Sequence, residues 1–211
     1  MIIREASATD IPDIVDVHIQ AFQGFLMTRL GKNFLKTYYE VALSYDNVLA
    51  FVACNENNKP VGFVVGYYDP RSFYSYFSTK KKRIAWSMAG ALLRNPFLLP
   101  RVLASKTQAD TSSRDEDYSQ GVVELASVAV IPEAGGKGTG KKLLQNFIEK
   151  SIEKKANAIF LTTDLVGNDA TLKFYEKNRF TPRRDFITPA NRKMRQYELK
   201  LQIREETSNE G

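Results

Sequence analysis

A chain of 211 residues, 43% of them hydrophobic, is long enough to bury one full core and too apolar to be disordered throughout. Its formal charge of +6 suits a polyanionic partner, yet the basic residues fall in separate clusters, Lys80 to Arg83, Lys137 to Lys142 and Arg183-Arg184 with Arg192-Lys193. No nucleic-acid-binding signature accompanies them, so no nucleic acid partner is expected.

The start, Met1-Ile2-Ile3-Arg4-Glu5, is unlike a secretion signal, and the single cysteine, Cys54, cannot form an internal disulfide. No apolar stretch approaches the roughly 20 residues of a membrane span. A cytoplasmic protein, monomer or homodimer, is expected.

Residues 2–6 read as a strand, and Ser7, Thr9 and Asp10 offer caps for a helix that carries Ile11, Ile14, Val15, His18, Ala21 and Phe22 at helical spacing. His18 lies on the apolar stripe and reads as a core histidine. A second helix is predicted over 32–44. Residues 48–54 and 61–68 are rich in β-branched and aromatic residues and flank a polar turn, which is a hairpin pattern.

Residues 70–120 break this rhythm with Phe73, Tyr74, Tyr76 and Phe77, a basic run, a helix predicted over 84–94 and a polar stretch over 105–120. The segment reads as an insertion, so 1–201 is expected to be one domain, with 202–211 a polar tail. A strand follows over 122–131, then a glycine-rich loop and a helix with Leu143, Leu144, Phe147, Ile148 and Ile152 on one face. A short buried strand over 158–163, a helix over 169–177 and an alternating strand over 194–201 complete the chain. Strand, helix and strand around the loop imply a parallel pair, whereas the hairpin and closing strand are antiparallel: a mixed α/β fold.

The loop carries the chemistry. Gly135, Gly136, Gly138 and Gly140 free the backbone to turn its N–H groups inward, and the helix that follows adds its positive dipole end, so a phosphate-bearing ligand is the natural occupant. GGKGTGKK nearly fits the nucleotide-triphosphate loop G-x-x-x-x-G-K-[ST], and the run AIFLTTD, ending at Asp164, could pass for an acidic metal-binding strand. Lys142, however, stands where a hydroxyl must hold magnesium. The dinucleotide pattern G-x-G-x-x-G fails at Leu143.

Gly135 to Gly140 resembles instead the cofactor loop Q/R-x-x-G-x-G/A of the GNAT superfamily of N-acetyltransferases. The preceding VELASVAVIP and the later NDATLKFYEKNRF, Asn168 to Phe180, resemble that family too, the latter through N-x-x-A-x-x-x-Y-x-x-x-G-F. Gly135 replaces Gln or Arg, Thr171 replaces Ala, and Arg179 replaces Gly. The resemblance implies a largely antiparallel mixed sheet of about seven strands, helices on both faces, and a parallel pair that splays open after the cofactor strand.

It also implies acetyl-CoA as co-substrate; no His, Cys or carboxylate cluster in the sequence has metal-ligand spacing, so no metal is expected. The N–H groups from Gly136 through Lys137, Gly138, Thr139 and Gly140 to Lys141 would hold the pyrophosphate. The backbone of Val128 and Val130 would hold the pantetheine arm, and Asn168 would contact the cofactor or cap its helix. Tyr175 would be the general acid, Glu124 the general base, and the Val128 N–H the donor to the developing oxyanion.

The expected acceptor is the primary amine of a small molecule. Phe22, Phe25, Leu26, Met27 and Arg29, with Tyr74, Tyr76, Phe77 and Trp86 of the insertion, suit one with an apolar or sugar face and a negative group, such as a nucleotide-linked amino sugar. A protein N terminus or lysine, or a non-catalytic acyl-CoA-binding module on the same fold, are the alternatives. The insertion itself has three readings, in order of preference: cover for the sheet, acceptor wall, and peripheral contact with anionic lipid through residues 80–99.

Overall fold

Alternation along the hairpin sorts the apolar side chains into two cores. In β2 (Val48–Cys54) Ala50, Val52 and Cys54 face one layer of helices, and Leu49, Phe51 and Ala53 face the other. The computed structural model describes residues 1–104 and 121–201; the polar stretch 105–120 and the tail 202–211 lie outside the described residues.

Seven strands form one sheet in the order β1-β2-β3-β4-β5-β7-β6. They are β1 (Ile2–Glu5), β2, β3 (Pro60–Tyr68), β4 (Val122–Val130), β5 (Ala158–Asp164), β6 (Thr181–Ile187) and β7 (Lys193–Lys200). Every neighbouring pair is antiparallel except β4 and β5. The expected fold class is therefore the observed one. Periodicity marks six of these strands; β6 escapes it because TPRRDFI has no apolar alternation and lies almost wholly exposed at the sheet edge. Its Pro182 and two arginines suit an edge, where an apolar strand would invite pairing with another chain.

On one face lie α1 (Ile11–Ala21), α2 (Leu26–Arg29), α3 (Lys32–Leu43), α4 (Pro70–Thr79) and α5 (Lys81–Arg94). On the other lie α6 (Thr139–Glu153) and α7 (Asp169–Lys177). The short α2 and the whole of α4 are additions to the elements that periodicity marks, and α5 starts three residues earlier than its apolar spacing suggests. Helix α4 is announced by Asp69-Pro70: proline fixes the first helical φ, and the Asp69 carboxylate accepts from the Ser72 hydroxyl at 2.6 Å. Its Phe73 is fully buried, with its ring stacked 3.4 Å from that of Tyr67, and Ile84 and Leu98 also enter this core. Residues 70–98 thus pack on this face of the sheet, and burying Phe73 alone contributes about 2 kcal/mol.

Two irregularities shape β4. Gly66 pairs with Leu125 and Val65 with Ser127, so Ala126 is an extra residue that bends the strand. Against β5, the register runs only over Val122↔Ala158, Val123↔Ile159 and Glu124↔Phe160. Both strands continue beyond these pairs, so they part after Glu124 and leave a cleft between them.

The entry to α1 is held by one buried carboxylate. Asp10 accepts two bonds from Arg4, at 2.8 and 2.7 Å, and others from the Ser7 N–H and hydroxyl at 2.8 and 2.9 Å. The Arg4 guanidinium lowers its pKa from 3.8 to about 2. This contribution is complete above the ordinary value and lost as pH falls through about 2. Asp10→Ala is expected to cost about 2–3 kcal/mol at pH 7, read as a lower urea midpoint, because it removes the carboxylate of the capping box with Ser7 and strands Arg4.

Candidate active site

Beyond Val130 the chain turns through Pro132–Ala134 into the glycines. Gly136 and Gly138 adopt left-handed backbone, φ 71° and 78°, which a side chain would strain. Gly138 caps α6: its carbonyl accepts the Lys142 N–H at 3.0 Å, so the amides of Thr139, Gly140 and Lys141 precede the first bond of the helical ladder. The Thr139 side chain is buried and donates to the Ala134 carbonyl at 3.2 Å and the Met1 sulfur at 3.3 Å. It pins the turn and leaves only its amide for a ligand. Lys137, Lys141 and Lys142 stand exposed around these groups. Free amides, a helix dipole and lysines make an anion cradle.

The cradle is continuous with the cleft. The Ile131 N–H donates to the Val61 carbonyl at 2.9 Å, toward β3, so strand alternation turns the polar groups of Val130 and Val128 to the opposite edge, which β5 has left. A Cβ added to Gly140 would sit 3.8 Å from Val130 and 3.9 Å from the Phe174 ring. Strand β4, the glycine loop and α7 therefore meet at one point, although Gly140 and Phe174 are far apart in sequence.

Tyr175, beside Phe174 on α7, is 7% exposed and packs between Phe174, Phe180 and Tyr197. Its hydroxyl has no hydrogen bond among the described residues. Burial of the ring holds its pKa well above the usual phenol range. Asn168 begins α7 through its backbone carbonyl, which accepts from the Thr171 and Leu172 N–H groups; its side-chain amide donates instead to Thr163 Oγ1 at 2.9 Å and the Asp164 carbonyl at 3.0 Å. That arrangement ties α7 to the end of β5.

Arg179 ends α7 with φ 68°, the left-handed conformation that explains the glycine of the resembled motif. Arg179→Gly is expected to raise stability by about 1 kcal/mol, read as a higher melting temperature, because it removes that strain.

Glu124 sits where β4 and β5 part, on the face covered by α1 and α3. The Tyr74 hydroxyl of α4 donates to its two oxygens at 2.9 and 3.0 Å. Desolvation raises the Glu124 pKa from 4.5 to about 7, only partly offset by that bond. The hydroxyls of Tyr38 and Tyr67 bond each other at 2.9 Å nearby, and burial raises Tyr38 to about 12. Three tyrosine hydroxyls thus stand near a carboxylate whose pKa burial raises toward neutrality.

The other acceptor-side residues divide. Tyr74 reaches Glu124, whereas Tyr76 bonds Ser44 at 2.9 Å, Phe77 packs on Tyr38, and Leu26 and Met27 pack on the core. Trp86 is 81% exposed and belongs to a different surface. Arg192, not expected as a site residue, joins Asp164 at 3.0 and 2.6 Å and lies 5.7 Å from the Phe25 ring, linking the end of β5 to the segment after α1. Buried His18 bonds the Tyr39 hydroxyl at 2.7 Å, and desolvation lowers it to about 4, so it is neutral. Burial also raises the Cys54 thiol. Among the described residues no group of three or more His, Cys, Asp or Glu could hold a metal ion.

The acetyltransferase (GNAT) family model matches residues 102–180, which include β4, the loop and α7. No curated protein matches the chain. Among solved structures, the ribosomal-protein-alanine N-acetyltransferase of Brucella melitensis superposes with a TM-score of 0.62 at 16% identity, over 95% of this chain and 100% of that one. The ribosomal-protein-S18-alanine N-acetyltransferase of Escherichia coli gives 0.59 at 15%, over 98% and 97%. Ard1 of Thermoplasma volcanium gives 0.59 at 16%, over 95% and 97%. At such identities the likeness is one of fold, and the family model adds a match across the loop and its flanking motifs.

Proposed function

We propose that the chain transfers the acetyl group of acetyl-CoA directly to the primary amine of a small molecule. The observation that carries this reading is the junction of the anion cradle with a cleft that has a carboxylate of pKa about 7 at its apex. The amides of residues 136–141, with Lys137 and Lys141 at the rim, fit a pyrophosphate. The outward polar groups of Val128 and Val130 fit the amides of a pantetheine arm, and Asn168 keeps its side-chain carbonyl oxygen for the same ligand. Acetyl-CoA supplies an acyl group activated as a thioester.

Glu124, directly or through one water, takes a proton from the incoming ammonium. The amine nitrogen bonds the acyl carbon as the carbon–sulfur bond breaks. The Val128 N–H donates to the acyl oxygen as its charge develops, and the Tyr175 hydroxyl gives its proton to the departing thiolate. Raised by burial, the phenol is protonated at every working pH; handing its proton to the thiolate is uphill, so the step depends on holding the hydroxyl against the departing sulfur.

Phe22, Phe25 and Arg29 on one side and Tyr74 on the other suit an amine with an apolar or sugar face and an anionic group. A protein N terminus is the second reading, because two solved structures of this fold are named for acetylation of ribosomal-protein alanine. Thiol release from acetyl-CoA, assayed against amino sugars, nucleotide-linked amino sugars and short peptides, tests both. Thermal stabilisation by acetyl-CoA without amine-dependent thiol release would mark a non-catalytic binding module instead.

Tyr74→Phe removes the bond that favours ionised Glu124. The acid limb of the pH–rate profile is expected to move up by about one unit, with the plateau recovered at higher pH. An unmoved limb would mean that Glu124 does not set it.

A further inference from the structure

We propose that the outer face of α5 and the turn after it form a docking surface for anionic lipid bilayers. Trp86 and Leu93 are 81% and 86% exposed and stand two helical turns apart, on one side of α5. Phe97, 86% exposed, follows in the 3-10 turn Pro96–Leu98, and Leu99 is exposed beside it. On the opposite side Ile84 is buried, and Met88, Ala91 and Leu92 pack against the core. The helix is therefore apolar on both faces, and the inner one anchors it so that the outer one is presented outward. Large apolar side chains gathered in this way mark an interaction site.

Charge selects the occupant. Residues 70–104 hold seven Lys or Arg and no Asp or Glu, so the rest of the chain carries 23 basic against 24 acidic residues. The chain's whole positive charge resides in this segment. Lys81 and Lys82 at the start of α5, Arg94 at its end and Arg101 beyond are exposed and form no ion pair among the described residues. A basic rim around Trp, Leu and Phe matches a surface of negative headgroups above acyl chains. A second copy laid face to face would set these like charges against each other. Nucleic acid would satisfy the charges but offer nothing to Leu93.

Lys80 alone separates α5 from α4, whose Tyr74 holds Glu124, so the docking surface and the wall of the cleft share one helical pair. The inference stands independently of the proposed reaction: binding to vesicles and release of thiol are separate readouts.

Trp86 is the only tryptophan, so intrinsic emission of the full chain reports this face alone. The expected result is a blue shift with phosphatidylcholine vesicles that contain phosphatidylserine, quenched by brominated acyl chains and reversed by high salt. Vesicles of phosphatidylcholine alone should leave the emission unchanged. Lys81→Gln with Lys82→Gln, and Leu93→Ser with Phe97→Ser, should each weaken partition at least about tenfold, with unchanged unfolding midpoints because these side chains are exposed. No shift with the anionic vesicles would overturn the proposal, as would an equal shift with neutral ones. A shift that grows with protein concentration in the absence of lipid would assign the face to a second copy. Binding to duplex DNA but not to vesicles would assign it to nucleic acid.

Discussion

Glu124→Gln is expected to lower kcat/KM for amine acetylation by about 100-fold or more while making the protein more stable at pH 8. The two effects share one cause. Burial raises the carboxyl from 4.5 to about 7, so the folded chain holds this proton more tightly than the unfolded chain does. The favourable contribution is complete below about pH 4.5 and is lost as pH rises through 7; above that, ionised Glu124 opposes folding. Glutamine keeps the shape and an acceptor for Tyr74 but carries no charge to desolvate. The gain at pH 8 is expected to be about 2 kcal/mol, several degrees in melting temperature, and should vanish near pH 4. A residue important only for packing would lose activity and stability together, and that outcome would remove Glu124 from the chemistry.

Tyr175→Phe is expected to lower kcat by about 10- to 100-fold with little change in stability. Phenylalanine preserves the ring contacts with Phe174, Phe180 and Tyr197, and the lost hydroxyl has no hydrogen bond among the described residues. Tyr175→Ala, by contrast, opens a cavity and should cost about 3–5 kcal/mol. An acceptor that releases CoA from the Phe variant at the wild-type rate across pH would refute the general-acid role. Amines attacking thioesters with better leaving groups should be less affected, because a stabilised thiolate needs less protonation.

Much of this arrangement is legible in the sequence because its cues are local. Glycine at 136 and 138 meets a left-handed backbone, Leu143, Leu144 and Phe147 at helical spacing bury α6 against the sheet, and Asn168 starts a helix that carries Tyr175. The remainder depends on contacts between distant residues. Strand β6 is held by backbone pairing to β7 at an exposed edge, where no alternation is needed. Tyr74 lies in an aromatic run that reads equally well as core or surface, and only the packing of Phe73 on Tyr67 turns it toward Glu124, fifty residues later in the chain. Asp164, at the end of AIFLTTD, has the sequence position of a metal-binding acid, and its role is likewise settled by a distant partner: Arg192 engages both of its oxygens.

Initial velocities of CoA release, with acetyl-CoA and amine varied together, test direct transfer in one cleft most sharply. Direct transfer predicts lines that intersect in double-reciprocal plots and an enzyme whose mass stays unchanged when acetyl-CoA is added alone, since both partners must occupy the cleft together. Parallel lines with an acetylated enzyme, or no amine-dependent release at any concentration, would contradict it.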